Sequence, residues 1–135
     1  MRIRLLLVLL IALGSGFAFA ADKPEGPYLF DLMKQPTYRA AWIGMLAGAT
    51  APEWVDTFAK TLDGPATPSI EVLVGDASYT LGFTCKPNDC AENQLYVLFS
   101  GGGAKAWGLL IIGKEVKWLG APDQTIQEAI LSRIE

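Results

Sequence analysis

The chain contains no histidine. That absence removes most hydrolase machinery, because Ser-His-Asp and Cys-His arrangements need an imidazole as the base. Cysteine is scarce as well, with two in 135 residues. A zinc site would have to be made from that pair and carboxylates, and the pair has a better use. Among the fourteen acidic residues no carboxylate pair stands out by its context, as the acid and base of a glycosidase would. The stretch SGGGAK (100–105) lacks the G-x-x-x-x-G-K-[ST] order of a phosphate loop: Lys105 is followed by Ala106 and another apolar strand. It reads as a flexible hairpin turn. These gaps predict a protein that is not an enzyme and needs no cofactor or metal.

Long apolar runs are limited to the start of the chain. Arg2 and Arg4 precede an unbroken apolar run from Leu5 to Leu13, and Ala18-Phe19-Ala20 places alanines at positions −3 and −1 of a cleavage site. This is the pattern of a signal peptide over residues 1–20, leaving 21–135 as a single exported domain. Leu109 to Ile112 falls short of a membrane span and is stopped by Gly113-Lys114-Glu115. Without Arg2 and Arg4, nine Lys and Arg face fourteen Asp and Glu, a net charge of −5. Nucleic acid and anionic membrane surfaces are therefore excluded as partners, and a basic protein is favoured by long-range attraction.

Periodicity divides the remaining chain in two. Residues 27–35 can form a short helix, and 36–48 form a firmer one, with Pro36 at a permitted first position, Gly48 as a stop, and Ala41, Trp42, Met45 and Leu46 as its apolar stripe. One more helical turn is expected around Trp54. From Pro68 the period becomes two. SIEVLV (69–74) turns Ile70, Val72 and Val74 inward, and SYTLGFT (78–84) turns in Tyr79, Leu81 and Phe83, with a tight turn at Gly75-Asp76-Ala77 between them. QLYVLFS (94–100) and AWGLLIIG (106–113) are apolar on both alternations, as strands covered on two faces are. EVKWL (115–119) follows a Gly113-Lys114 hairpin turn. Residues 122–135 close the chain as a helix with a stripe of Ile126, Ala129, Ile130 and Ile134. Links this short exclude parallel crossovers. The fold class is α+β: a five-stranded antiparallel meander with N-terminal helices and a C-terminal helix packed against it. The four tryptophans lie in periodic segments and are assigned to core packing rather than to a sugar groove.

Both cysteines fall in FTCKPNDCAE (83–92). Four residues between them, in a link between antiparallel strands, do not match the C-x-x-C helix start of a thiol-disulfide enzyme. In an exported protein the pair is expected to be oxidised as Cys85–Cys90. Chain entropy gives so small a ring only about 2 kcal/mol of stabilisation, so local shape is a better reason for it than global stability. The bond and Pro87 both restrict Lys86, Pro87, Asn88 and Asp89, which would project as a nearly rigid knob. On the residues alone two readings stand open: a preorganised binding loop, or a staple that tidies a hairpin against proteolysis.

CKPNDC resembles the Cys-Lys-Pro-His-Asp-Cys loop of the Ivy family, inhibitors of vertebrate c-type lysozyme in the Gram-negative periplasm. The resemblance extends to APEWV (51–55), similar to a Pro-x-Trp-Val segment of that family, and to VGDASYTLGFTCKPNDC (74–90), which has the spacing of its strand pair and loop. It implies a five-stranded sheet, often a homodimer, and a disulfide-held inhibitory loop of Lys86, Pro87, Asn88 and Asp89 that enters the lysozyme cleft. In the family a loop histidine reaches between the two catalytic carboxylates of lysozyme; Asn88 stands at that position here. An asparagine amide is neutral and shorter, whereas a protonated imidazole presents donors on both edges. The exchange should lower affinity by about 1–2 kcal/mol, with a further loss from any carboxylate left unpaired, or roughly tenfold to a thousandfold in all. Lys86 offers a positive charge nearby, and Asp89 is expected to accept backbone N–H bonds inside the ring. The implied target is c-type lysozyme or an endogenous lytic transglycosylase, whose cleft depends on one main acid. A module of the same fold that no longer inhibits is the alternative.

Overall fold

A computed structural model describes residues 26–134. The expected signal peptide and most of the polar segment after it lie outside these residues. Among the described residues no helix is long and apolar enough to cross a membrane.

Three helices come first: α1 (Leu29–Leu32), α2 (Pro36–Leu46) and α3 (Glu53–Thr61). Pro36 occupies the first turn of α2, where its missing N–H costs nothing, and the chain leaves that helix through Ala47 into Gly48 at φ 73°. The single turn expected around Trp54 is a nine-residue helix. Glu53 and Asp56 in its first turn and Lys60 in its last oppose the helix dipole with the right signs, while Val55 and Phe58 supply the buried face. With Ala59 and Leu62, which pack against the same core, Val55 and Phe58 form an apolar stripe at i, i+3, i+4 and i+7 that seats the helix.

Five strands follow: β1 (Ala66–Val74), β2 (Ala77–Cys85), β3 (Asn93–Phe99), β4 (Ala106–Ile112) and β5 (Glu115–Leu119), antiparallel and in the spatial order β1-β2-β3-β4-β5. This is the expected meander. Pairing of Val74 with Ala77 and of Ile112 with Glu115 leaves two-residue turns led by Gly75 (φ 61°) and Gly113 (φ 59°), a conformation that suits glycine. The last helix, α4 (Gln124–Leu131), is shorter than the 122–135 expected. Asp123 caps it by accepting a hydrogen bond from the Ile126 N–H at 2.9 Å.

The sheet is covered on both faces. Leu95, Val97 and Phe99 of β3, with Ala106 and Leu110 of β4, pack against Leu29, Trp42, Met45, Val55 and Phe58 of the three N-terminal helices. Val72, Leu81, Leu98, Trp107 and Leu109 pack against Ile126 and Ile130 of α4. Alternate residues of β3 and β4 therefore enter two cores, which explains why these strands read as continuous apolar runs. Trp42 and Trp107 are buried, and Trp54 and Trp118 are half-buried at the margins of the two cores.

Two strand readings are corrected. In β1 the inward residue is Ser69, 3 % exposed, whereas Ile70 is 42 % exposed. Pro68 lies at a register shift between Thr67 and Ile70, and the incoming chain pairs there: Ser69 donates its N–H to Pro27 O at 3.0 Å and Gly26 donates to Ser69 O at 3.2 Å. Beyond the bulge Ile70 pairs with Leu81 and keeps the face of Val72 and Val74, but it lies outside the core that buries Val72; Ser69 faces the opposite side, where the N-terminal segment covers it. In β2 the supposedly solvent-facing Thr84 is fully buried and donates from Oγ1 to Pro65 O at 2.8 Å. The approach to β1 lies over that face and supplies the acceptor that makes burial of the hydroxyl tolerable.

Candidate functional site

The link between β2 and β3 carries the two cysteines, and its conformation follows from its residue types. Asp89 donates its N–H to Lys86 O at 3.1 Å, Pro87 holds the second position, and Asn88 holds the third at φ 63°. Proline followed by a positive φ defines a type II turn. Asparagine is among the few side-chain-bearing residues that adopt this left-handed conformation readily. A second turn is closed by the Asn93 N–H to Asp89 O at 3.1 Å, and the Lys86 N–H to Asn93 O at 3.0 Å joins the base of the loop to the strand pair. Cys85 and Cys90 are disulfide-bonded with a Cα–Cα distance of 5.0 Å, within the ordinary range. The loop is also tied sideways, since Gly113 of the β4–β5 turn donates its N–H to Glu92 O at 2.7 Å.

Exposure separates the loop's residues by task. Lys86, Pro87 and Asn88 are exposed, whereas Cys85 is buried and Asp89 and Cys90 are half-buried. The four residues singled out in the sequence therefore share one turn, with three facing solvent. The Asp89 side chain makes a different contact from the one expected: Oδ2 accepts from Asn93 Nδ2 at 2.9 Å, a side-chain amide beyond the ring. Asn93 was missed because its role depends on the second turn. The D-x-x-x-N spacing is the signal that reveals it, as Pro-Asn at the centre of CKPNDC is the signal for the type II turn.

Beside the loop lies an open cleft of about 620 Å³, bounded by Lys86 and Pro87 on one side and Pro52, Glu53 and Trp54 on the other. Trp54 Nε1 is buried in this region without an acceptor among the described residues. No group of three or more Cys, Asp or Glu capable of holding a metal ion occurs among those residues. The loop presents an ammonium, a proline ring and a carboxamide on a constrained turn, a set suited to insertion and hydrogen bonding and not to bond-breaking.

Residues 37–132 match the family model for the inhibitor of vertebrate lysozyme (Ivy). The chain belongs to the Ivy family. An inhibitor of vertebrate lysozyme from Pseudomonas aeruginosa is 31 % identical over 145 aligned positions, spanning 96 % of this chain and 92 % of that protein. An uncharacterised Yersinia pestis protein is 29 % identical over 123 positions, spanning 81 % and 77 % of the two chains. An inhibitor of vertebrate lysozyme from Escherichia coli K12 is 35 % identical over 69 positions, spanning 51 % of this chain and 41 % of its own. Ivy proteins are thus named as inhibitors and not as catalysts, in keeping with the non-enzymatic reading of this chain.

Proposed function

We propose that this Ivy-family protein is exported to the periplasm and blocks the cleft of a muramidase with the Lys86–Asp89 turn, Asn88 at its tip. The observation that carries the reading is the construction of the turn. A disulfide, a proline, the Asp89–Asn93 side-chain bond and the closing backbone bonds hold three exposed residues in one conformation. A loop already held in its bound shape loses little conformational entropy on binding.

Lysozyme's catalytic pair, one acid of raised pKa and one ionised carboxylate, supplies the groups that the tip would meet. The Asn88 amide donates to one of them, and the Lys86 ammonium lies close in sequence to add charge attraction. A single short amide leaves the second carboxylate without a partner. Inhibition of c-type lysozyme is accordingly weaker than a histidine in the same place would give. The asparagine favours a second target, a lytic transglycosylase, whose cleft relies on one main acid.

Steady-state inhibition of peptidoglycan hydrolysis by a c-type lysozyme, with varied substrate, tests the proposal. Inhibition that is relieved by excess substrate is the expected result. Inhibition that excess substrate does not relieve would remove the cleft-blocking mechanism. Full lysozyme activity in saturating protein, with a transglycosylase inhibited instead, would transfer the proposal to that target.

A further inference from the structure

Resting on the loop reading above, we infer that the cleft between the disulfide loop and the start of α3 is a second contact site, receiving a Lys- or Arg-bearing segment of the same muramidase. Lys86 and Pro87 belong both to the projecting turn and to the wall of this cleft of about 620 Å³. A partner large enough to enclose Asn88 in its own active site extends over the depression at the foot of the turn.

Charge selects the occupant. Glu53 and Asp63 border the cleft and are exposed, and the ion pair formed among the described residues, Lys34 with Asp31, involves neither. Lys86 is the cation of the lining, also exposed and outside that pair, so the lining remains net negative. The chain as a whole carries the same sign, −3. An acidic segment would bring like charges together at Glu53 and Asp63. A basic one meets two carboxylates with free lone pairs, while the flexible Lys86 stem can turn outward with the loop. Pro52, Trp54 and Phe58 give the walls apolar surface for the methylene stem of a Lys or Arg.

The test compares four proteins by association rate and Kd with a c-type lysozyme, at low and high salt. They are the natural protein, the double variant Glu53→Lys/Asp63→Lys, the control Glu71→Lys/Asp76→Lys, and Asn88→Gly. The control changes net charge equally on exposed residues of β1 and the β1–β2 turn. The expected result is that the cleft variant associates more slowly and binds about tenfold more weakly at low salt, beyond any loss in the control, with the gap narrowing as salt rises. Equal losses in cleft variant and control, or no loss in either while Asn88→Gly is weakened, would overturn the cleft inference and leave the loop reading standing. No binding by the natural protein to either a c-type lysozyme or a lytic transglycosylase, or unchanged binding by Asn88→Gly, would overturn the loop reading and this inference with it. Circular dichroism and the thermal midpoint verify that each variant is folded.

Discussion

The two links that flank β3 reach a fixed shape by opposite means. At one end, the loop between β2 and β3 stands out from the sheet and is held by a covalent bond, a proline and the Asp89–Asn93 contact. At the other end, the link between β3 and β4 contains Gly101, Gly102 and Gly103, with no side chain beyond hydrogen in its 3₁₀ turn. The sequence predicts flexibility there, yet Gly103 is buried against the Tyr38 ring of α2. A side chain on Gly103 would place its Cβ 2.7 Å from that ring, and φ is already 74°. Lys105 donates its N–H to Ser100 Oγ and Ser100 donates its N–H to Lys105 O, both at 2.9 Å, which closes the turn. Packing constrains one link and crosslinking the other. A loop that must project has no neighbours to pack on, so its order has to be built into its own chain.

The comparison is broken most severely at the packed end. Gly103→Val should destabilise the fold by about 2–4 kcal/mol, from overpacking against Tyr38 and a left-handed backbone that valine resists. Chemical denaturation reads that loss, and the folded fraction should inhibit as before, because the turn lies at the other end of β3 from the loop. Removing the crosslink with Cys85→Ser/Cys90→Ser should cost about 2 kcal/mol of stability by the loop-entropy estimate. Its distinctive effect is on binding: restored loop freedom should weaken inhibition by about tenfold, corresponding to about 1.4 kcal/mol. A double variant that inhibits as tightly as the natural protein would show that the crosslink does not preorganise the tip.

Smaller effects sharpen the same contrast. Asn93→Ala removes the donor to Asp89 and should lower stability by about 0.5–1.5 kcal/mol in a denaturant melt, with a modest loss of inhibition. Asn88→Gly should leave stability within a few tenths of a kcal/mol, since glycine takes the positive φ at no steric penalty. It removes the tip amide and should weaken inhibition through that loss alone. Asn88→Ala keeps neither advantage and should add about 1–2 kcal/mol of backbone strain. If Gly and Ala variants have the same stability, the left-handed turn is not what the asparagine serves.

How much was legible in the sequence varies with the range of the forces involved. The meander, its order and the two covered faces of β3 and β4 followed from alternation and short links, because those patterns are set by each strand's own neighbours. The inward–outward assignment failed at Ser69, Ile70 and Thr84, where a bulge at Pro68 and the approach of residues 26–28 and Pro65 decide the outcome. None of those contacts leaves a local trace. The extent of α3, by contrast, is written locally: Val55, Phe58, Ala59 and Leu62 recur at helical spacing, and charges of the right sign stand at its ends. At the site, the exposed Lys86-Pro87-Asn88 turn and the Cys85–Cys90 pairing were readable because the proline, the asparagine and the two cysteines lie within six residues. Asn93 was not singled out although its D-x-x-x-N spacing from Asp89 is local, and Glu53 and Asp63 were not because the fold alone brings them beside the loop.

Asn88 is the residue on which the functional account turns, and Asn88→His tests it most directly. Histidine also tolerates the left-handed backbone, so the variant changes the tip's chemistry and leaves the turn in place. Inhibition constants for a c-type lysozyme should be compared for the oxidised natural protein and the variant, in one buffer. The account predicts that the histidine variant inhibits roughly ten to a thousand times more tightly, corresponding to about 1.4–4 kcal/mol. Equal inhibition constants would contradict it, because the tip residue would then not meet the catalytic carboxylates.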